Sequence, residues 1–131
     1  MGSNPTPRTT LTPPFFIAIP AKPSVDSFEL QDLTEKQGKS GRRYYEFLRA
    51  DSLSSGVYVL KVGDMDPQKP HSEDELYYVV GGRATIHVGG EERRVGPGSL
   101  VFVPATIPHK FHDIEQELKV LVFFSPPETH V

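Results

Sequence analysis

The chain of 131 residues contains no cysteine. That absence excludes a disulfide framework, a thiolate metal site and a cysteine nucleophile, so any bound metal must rely on imidazole or oxygen donors. It also fits a reducing, cytoplasmic setting. No excess of one charge is present: 14 Lys and Arg face 17 Asp and Glu, for a formal net charge of -3. Such a balance generates no field that would draw in a nucleic acid backbone or an anionic membrane. The pairs Arg42-Arg43 and Arg93-Arg94 are flanked by Glu or Tyr and read as solvated strand ends or turns. Long hydrophobic runs are missing too. The most apolar stretch near the start, Phe15 to Ile19, is shorter than a signal-peptide core and far shorter than a membrane span, so neither export nor insertion is expected. No serine sits in a strand-turn-helix context, which leaves nucleophilic catalysis without support.

What is present points to one domain preceded by an arm. Residues 1–24 carry Pro5, Pro7, Pro13, Pro14, Pro20 and Pro23, each removing a backbone donor and disfavouring helix in the residue before it. This arm is expected to be partly disordered, with Phe15 to Ile19 as an extended strap over the domain or along a partner subunit. The domain proper is expected over residues 25–126, with 127–131 as a tail. Phe28, Leu30 and Leu33, within Asp26 to Lys36, suggest one or two short helical turns that Gly38 and Gly41 end.

Runs rich in Val, Ile, Tyr, Phe and Leu follow, at Tyr44 to Arg49, Val57 to Val62, Leu76 to Val80, Ala84 to Val88, Leu100 to Val103 and Leu118 to Phe124. Their separators, Ser54-Ser55-Gly56, Gly81-Gly82, Gly89-Gly90 and Gly96-Pro97-Gly98, have the chemistry of turns. Short strands at regular spacing imply an all-β sandwich or closed barrel, closure being favoured because an open sheet would leave two long edges unpaired.

Two stretches carry the chemistry. The first runs from Gly63 through Lys69, Pro70, His71 and Glu75 to Leu76-Tyr77-Tyr78-Val79-Val80 and Gly82; the second runs from Gly98 through Pro104, Thr106, Pro108 and His109 to Asp113. Together they resemble the two motifs of the cupin superfamily, in which a glycine, two histidines one residue apart, a glutamate and a later glycine are followed by a second glycine-led segment ending in a histidine. His71, Glu75 and Gly82 fall where that pattern requires them, as do Gly98 and His109. Three positions depart from it: Lys69 stands for the first histidine, Thr106 for the usual second glycine of the second motif, and Asp113 where asparagine is common. The resemblance implies a small single-domain cupin, a double-stranded β-helix or jelly-roll barrel, with its motifs covering about residues 63–113. Alternation then sets Val101, Val103, His109 and Phe111 inward and Lys110 and His112 outward.

The resemblance further implies that His71, Glu75 and His109 bind one divalent transition metal ion, Fe, Mn, Ni, Co or Zn. Two imidazoles and a carboxylate inside an apolar barrel are costly to bury unpaired, and a cation resolves that cost. Lys69 has no lone pair at neutral pH and cannot replace the missing histidine; turned inward it would offer a charge to an anionic substrate, and turned outward it would simply be solvated. Gln68 is a candidate fourth donor through its amide oxygen. Tyr77 is the candidate hydroxyl beside the site, with core filling as its alternative role. Glu73 and Asp74 read as solvated loop acids, His87 and His112 as outward-facing, and His130 as part of the tail. The last strand is apolar on both faces, Leu121 and Phe123 alternating with the inward set, so a covering surface is required and a homodimer is expected.

Three functions follow, all involving a small molecule in the barrel. They are a metal-dependent dioxygenase-like enzyme, a lyase or isomerase using the metal only as Lewis acid, and a binding module without turnover.

Overall fold

Alternating burial along the strands builds the architecture. The computed structural model describes residues 25–129; the arm at 1–24, its Phe15 to Ile19 strap and His130 lie outside the described residues. Six strands form one antiparallel sheet: β1 (Tyr44–Arg49), β2 (Ser54–Leu60), β3 (Asp74–Val88), β4 (Glu91–Val95), β5 (Leu100–Val103) and β6 (His109–Ser125). Their order is β1-β2-β6-β3-β4, with β5 also paired to β3. Strand β3 is the hub. It pairs with β6 from Asp74↔Ser125 to Val88↔His109, while its free edge takes β5 at Glu75↔Val103 and β4 at Ala84↔Val95. The sheet curls so far that inward side chains from β2 to β6, among them Leu60, Tyr77, Val79, Ile86, Val103, Phe111 and Val120, join in a single core cluster. This is a jelly-roll β-barrel; of the expected inward set, Val103, His109 and Phe111 are buried and Val101 is half-buried against the core, while of the expected outward pair Lys110 is exposed and His112 half-buried.

Several boundaries differ from those expected. Gly81-Gly82 is not a turn but lies within β3, where the pairing with β6 shifts register between Val79 and Thr85. Gly82 has a φ of 92°, and a Cβ there would sit 2.2 Å from the carbonyl oxygen of Glu117, so the glycine permits the bend and the close approach of β6. Ser54-Ser55-Gly56 likewise belongs to β2. A Cβ on Gly56 would lie 2.3 Å from the Tyr44 ring, which occupies that space. Strand β6 begins at His109 rather than near Leu118, and β2 ends at Leu60 rather than Val62.

The expected helical turns are a longer helix, α1, over Leu30–Ser40. Its second half, Thr34 to Ser40, contains no apolar residue, so hydrophobic spacing gave no sign of it. Asp32 in the first turn and Lys39 in the last suit the helix dipole, and Gly41, at φ 72°, stops it in the left-handed conformation while Gly38 lies inside. Its one buried residue, Leu33, packs on Val57, Val59 and Leu121. The helix thus covers part of the outer face of β2 and β6, a task the sequence assigned to a partner or the strap. No described residue covers the neighbouring outer face. Leu76 lies between Phe102 and Phe123, and Tyr78 beside Leu100, on adjacent strands; Leu100 and Phe102 are 64% and 56% exposed. No helix among the described residues is long and apolar enough to cross a membrane.

The departures at Thr106 and Asp113 acquire a physical reason. Among the described residues they are the two non-glycine residues of positive φ, at 69° and 50°. Aspartate, like asparagine, tolerates this region, whereas a β-branched threonine is strained there. Thr106→Gly is therefore expected to raise stability by about 1 kcal/mol, read from urea unfolding midpoints.

Candidate metal centre

Glu75 is the second residue of β3 and the first inward-facing one. The chain leaves β5 at Val103, directly across from Glu75, and crosses through residues 104–108 to enter β6 at His109. That crossover, not ladder pairing, brings His109 to Glu75, because His109 itself pairs with Val88 at the far end of β3. His71 arrives from the loop between β2 and β3. The loop is held by a backbone hydrogen bond from Thr106 N to the His71 carbonyl oxygen (2.6 Å) and, more firmly, by Asp66.

Asp66 is buried, and both its oxygens are engaged. Oδ1 accepts from the Tyr58 hydroxyl at 2.6 Å and from Gln68 N at 3.2 Å, while Oδ2 accepts from Phe111 N at 2.8 Å. One carboxylate thereby ties the loop bearing Gln68 and His71 to the strand bearing His109. Burial pushes the Tyr58 hydroxyl pKa up, and the bond to Asp66 pushes it further.

His71, Glu75 and His109 each offer a ligand atom within 4.8 Å of the others. His109 Nε2 lies 3.0 Å from Glu75 Oε1, and His71 Nε2 lies 4.0 Å from the same oxygen. Octahedral cis donors on bonds of about 2.1 Å stand roughly 3 Å apart, so the cluster is close to ligand spacing. His109 Nδ1 is 2.8 Å from the Ile107 carbonyl oxygen, which fixes the tautomer and leaves Nε2 as a lone-pair donor. Among the described residues, both Glu75 oxygens and His109 Nε2 are buried without a well-aligned hydrogen bond, their mutual approach at 3.0 Å being an ion-pair contact. Buried orphans of this kind are rare and expensive, and a cation among them would satisfy all three atoms. Without one, burial lowers the His109 pKa, but the neighbouring Glu75 carboxylate and the Ile107 carbonyl outweigh it, and the net direction is upward.

The remaining expected residues fall into place around this cluster. Gln68 turns inward, its Oε1 2.9 Å from His71 Nε2 and its Nε2 donating to the Tyr77 hydroxyl at 2.7 Å. Tyr77 is wholly buried, its ring 4.9 Å from Phe111 and 6.2 Å from His109. Lys69 is exposed but lines a cavity of about 260 Å³ that opens beside His71 and Glu75. His87 and His112 lie on the outer face, each within 3.4 Å of Glu92 Oε2. Glu73 is a correction: expected as a solvated acid, it is 3% exposed. Its Oε2 accepts from Ser72 Oγ and from both N and Oγ1 of Thr129. Asp74 is exposed and accepts from Ala105 N.

Residues 56–124 match the Cupin domain family. An uncharacterized protein of Streptomyces coelicolor, SCO3923, is 48% identical over 103 residues, spanning 79% of this chain and 98% of that one. The chain belongs to the cupin family. A further relative, the dimethylsulfoniopropionate lyase DddQ of Ruegeria pomeroyi, is 32% identical over 76 residues, 57% of this chain and 38% of DddQ. In fold, this cupin is similar to an RmlC-like cupin with a double-stranded β-helix from Methanocaldococcus jannaschii, at a TM-score of 0.58 and 16% identity, over 63% of this chain and 78% of that one.

Sequence reasoning missed two groups of this cupin's cavity. Tyr44, an apparent strand residue, lays its ring over Gly56 and has a buried hydroxyl without a hydrogen-bond partner. Burial, and then the negative charges of Glu128 and Glu46, push that hydroxyl pKa up, so it remains a proton donor at neutral pH. Glu128 also lines the cavity. The pairing of Tyr44 with Gly56 could have been suspected only from a register, and Glu128 had no signal at all. Because Asp66 fixes the site, Asp66→Ala is expected to cost about 3 kcal/mol in chemical denaturation, since it orphans buried donors on both sides of the cluster.

Proposed function

We propose that this cupin is a metal-dependent enzyme acting on a small organic molecule in the cavity beside His71, Glu75 and His109. Those three side chains, with the Gln68 amide oxygen as fourth donor, are the proposed ligands of one divalent transition metal. The observation that carries the reading is the set of buried donor atoms on Glu75 and His109 that lack a hydrogen bond among the described residues. Bound there, the metal would supply Lewis acidity toward a substrate carbonyl or carboxylate. Around it, the chain's own groups suit proton transfer without an oxidant. The Tyr44 hydroxyl can donate to a substrate oxygen, the Lys69 ammonium can attract a carboxylate, and Val122 and Phe124 exclude water. Tyr77, hydrogen-bonded to Gln68, serves in this reading to orient that amide and to relay a proton. A lyase or isomerase is thus preferred, and the likeness to DddQ supports it.

Dioxygenase chemistry is the second reading, favoured by the donor set itself, since two histidines and one carboxylate with open positions suit Fe(II) and O2. Elemental analysis of protein purified without chelator should find close to one metal per chain, falling below about a tenth in His71→Ala and His109→Ala. A wild-type content that low would instead support a binding module without turnover. Oxygen electrode traces with small carboxylates separate the first two readings: turnover without oxygen uptake supports the lyase or isomerase, and uptake coupled to turnover replaces it with the dioxygenase.

We further propose that a second copy of the chain covers the open face of Leu76, Tyr78, Leu100, Phe102 and Phe123, an apolar patch continuous across three strands. Light scattering at micromolar concentration should give twice the 14.6 kDa chain mass, and Leu100→Lys should give the single mass. A wild-type monomer would refute the pairing. The cysteine-free composition suits a cytoplasmic location.

A further inference from the structure

The segment after β6 is docked, not loose. Glu128 N donates to Ser54 Oγ at 2.9 Å, Arg49 Nη2 donates to the Glu128 carbonyl oxygen, and Thr129 donates twice to the buried carboxylate of Glu73, at 3.1 and 2.8 Å. A buried carboxylate anchor on one side and backbone bonds on the other fix the direction of the residue between them. The Glu128 side chain accordingly lies against the cavity, Oε2 3.7 Å from His71 Nδ1 and largely withdrawn from solvent.

His71 therefore stands between two acceptors. Gln68 Oε1 is 2.9 Å from Nε2, on the side facing Glu75, and Glu128 Oε2 faces Nδ1 on the other. A neutral imidazole carries one ring proton, and the nitrogen that binds a cation must be the one without it. His109 solves this with the Ile107 carbonyl at Nδ1. Among the described residues, no backbone carbonyl does the same for His71. We infer that Glu128 is a positioning residue for the metal centre: its carboxylate, in ion-pair range of His71 Nδ1 at 3.7 Å, favours the tautomer protonated at Nδ1 over the one that donates from Nε2 to Gln68, and so frees Nε2 for the ligand cluster, which makes the docked C-terminal segment part of the site. This rests on the metal reading given above.

The test uses full-length wild-type protein, Glu128→Ala and Glu128→Gln, with Zn(II) affinity measured by chelator competition and histidine tautomers read from long-range 1H-15N correlation spectra. Wild type is expected to bind one equivalent with His71 protonated at Nδ1. Glu128→Ala should bind about tenfold more weakly or worse, with Glu128→Gln between the two, while the melting midpoints of the metal-free proteins agree. Glu73→Gln, which loosens the Thr129 clasp without facing the cavity, should weaken binding in the same direction. Equal zinc affinity in wild type and Glu128→Ala, or a His71 tautomer unchanged by the substitution, overturns the role of Glu128 and leaves the metal reading standing. A wild type that binds no zinc overturns both.

Discussion

The arrangement of this site depends on the Asp66 carboxylate. It holds together Tyr58 in β2, Gln68 in the β2–β3 loop, and the backbone of β6 at Phe111, near His109. The loop, residues 61–73, has no strand or helix to fix it. Without a buried acceptor at its centre, its backbone would be free to sample many conformations, and loop ordering costs on the order of 1 kcal/mol per residue. Asp66 concentrates the compensating bonds where they orient ligand-bearing residues. The barrel supplies the rest. Glu75 needs only the pleat of β3, which the ladder fixes, and His109 needs only the crossover from β5 to β6.

Much of this could be read from residue order alone. The likeness of the stretches from His71 through Glu75 to Gly82, and from Gly98 to His109, to the two cupin motifs pointed to the cluster, and alternation located the core face of β5 and β6. These features survive because pleat periodicity and turn chemistry are local. The register of β3 through Gly82 was not legible, because a glycine pair that bends a strand and one that turns a hairpin look the same until the partner strand is known. The length of α1 was hidden for a different reason: its last two turns face solvent and carry no apolar signal.

The groups that complete the site were the least legible. Asp66, Glu73 and Asp74 are all acids within nine residues of one loop and strand end, and nothing local separates them. Yet Asp66 and Glu73 are buried with several donors apiece, while Asp74 is exposed. What distinguishes them is which distant backbone reaches each one: Phe111 for Asp66, Thr129 for Glu73, Ala105 for Asp74. Similarly, Tyr44 differs from Tyr45 only by the face of β1 it takes, and that face is defined by Gly56 on the adjoining strand.

The docking of the last residues constrains how the polypeptide can be extended. Any chain that continues past Thr129, whether natural or appended by design, starts one residue from the side chain that faces His71 and inherits the pull of whatever follows it. Fusion partners or affinity handles at that end hang from the edge of the cavity. At the opposite end, Val25 leads into α1, which packs on the outside of the barrel.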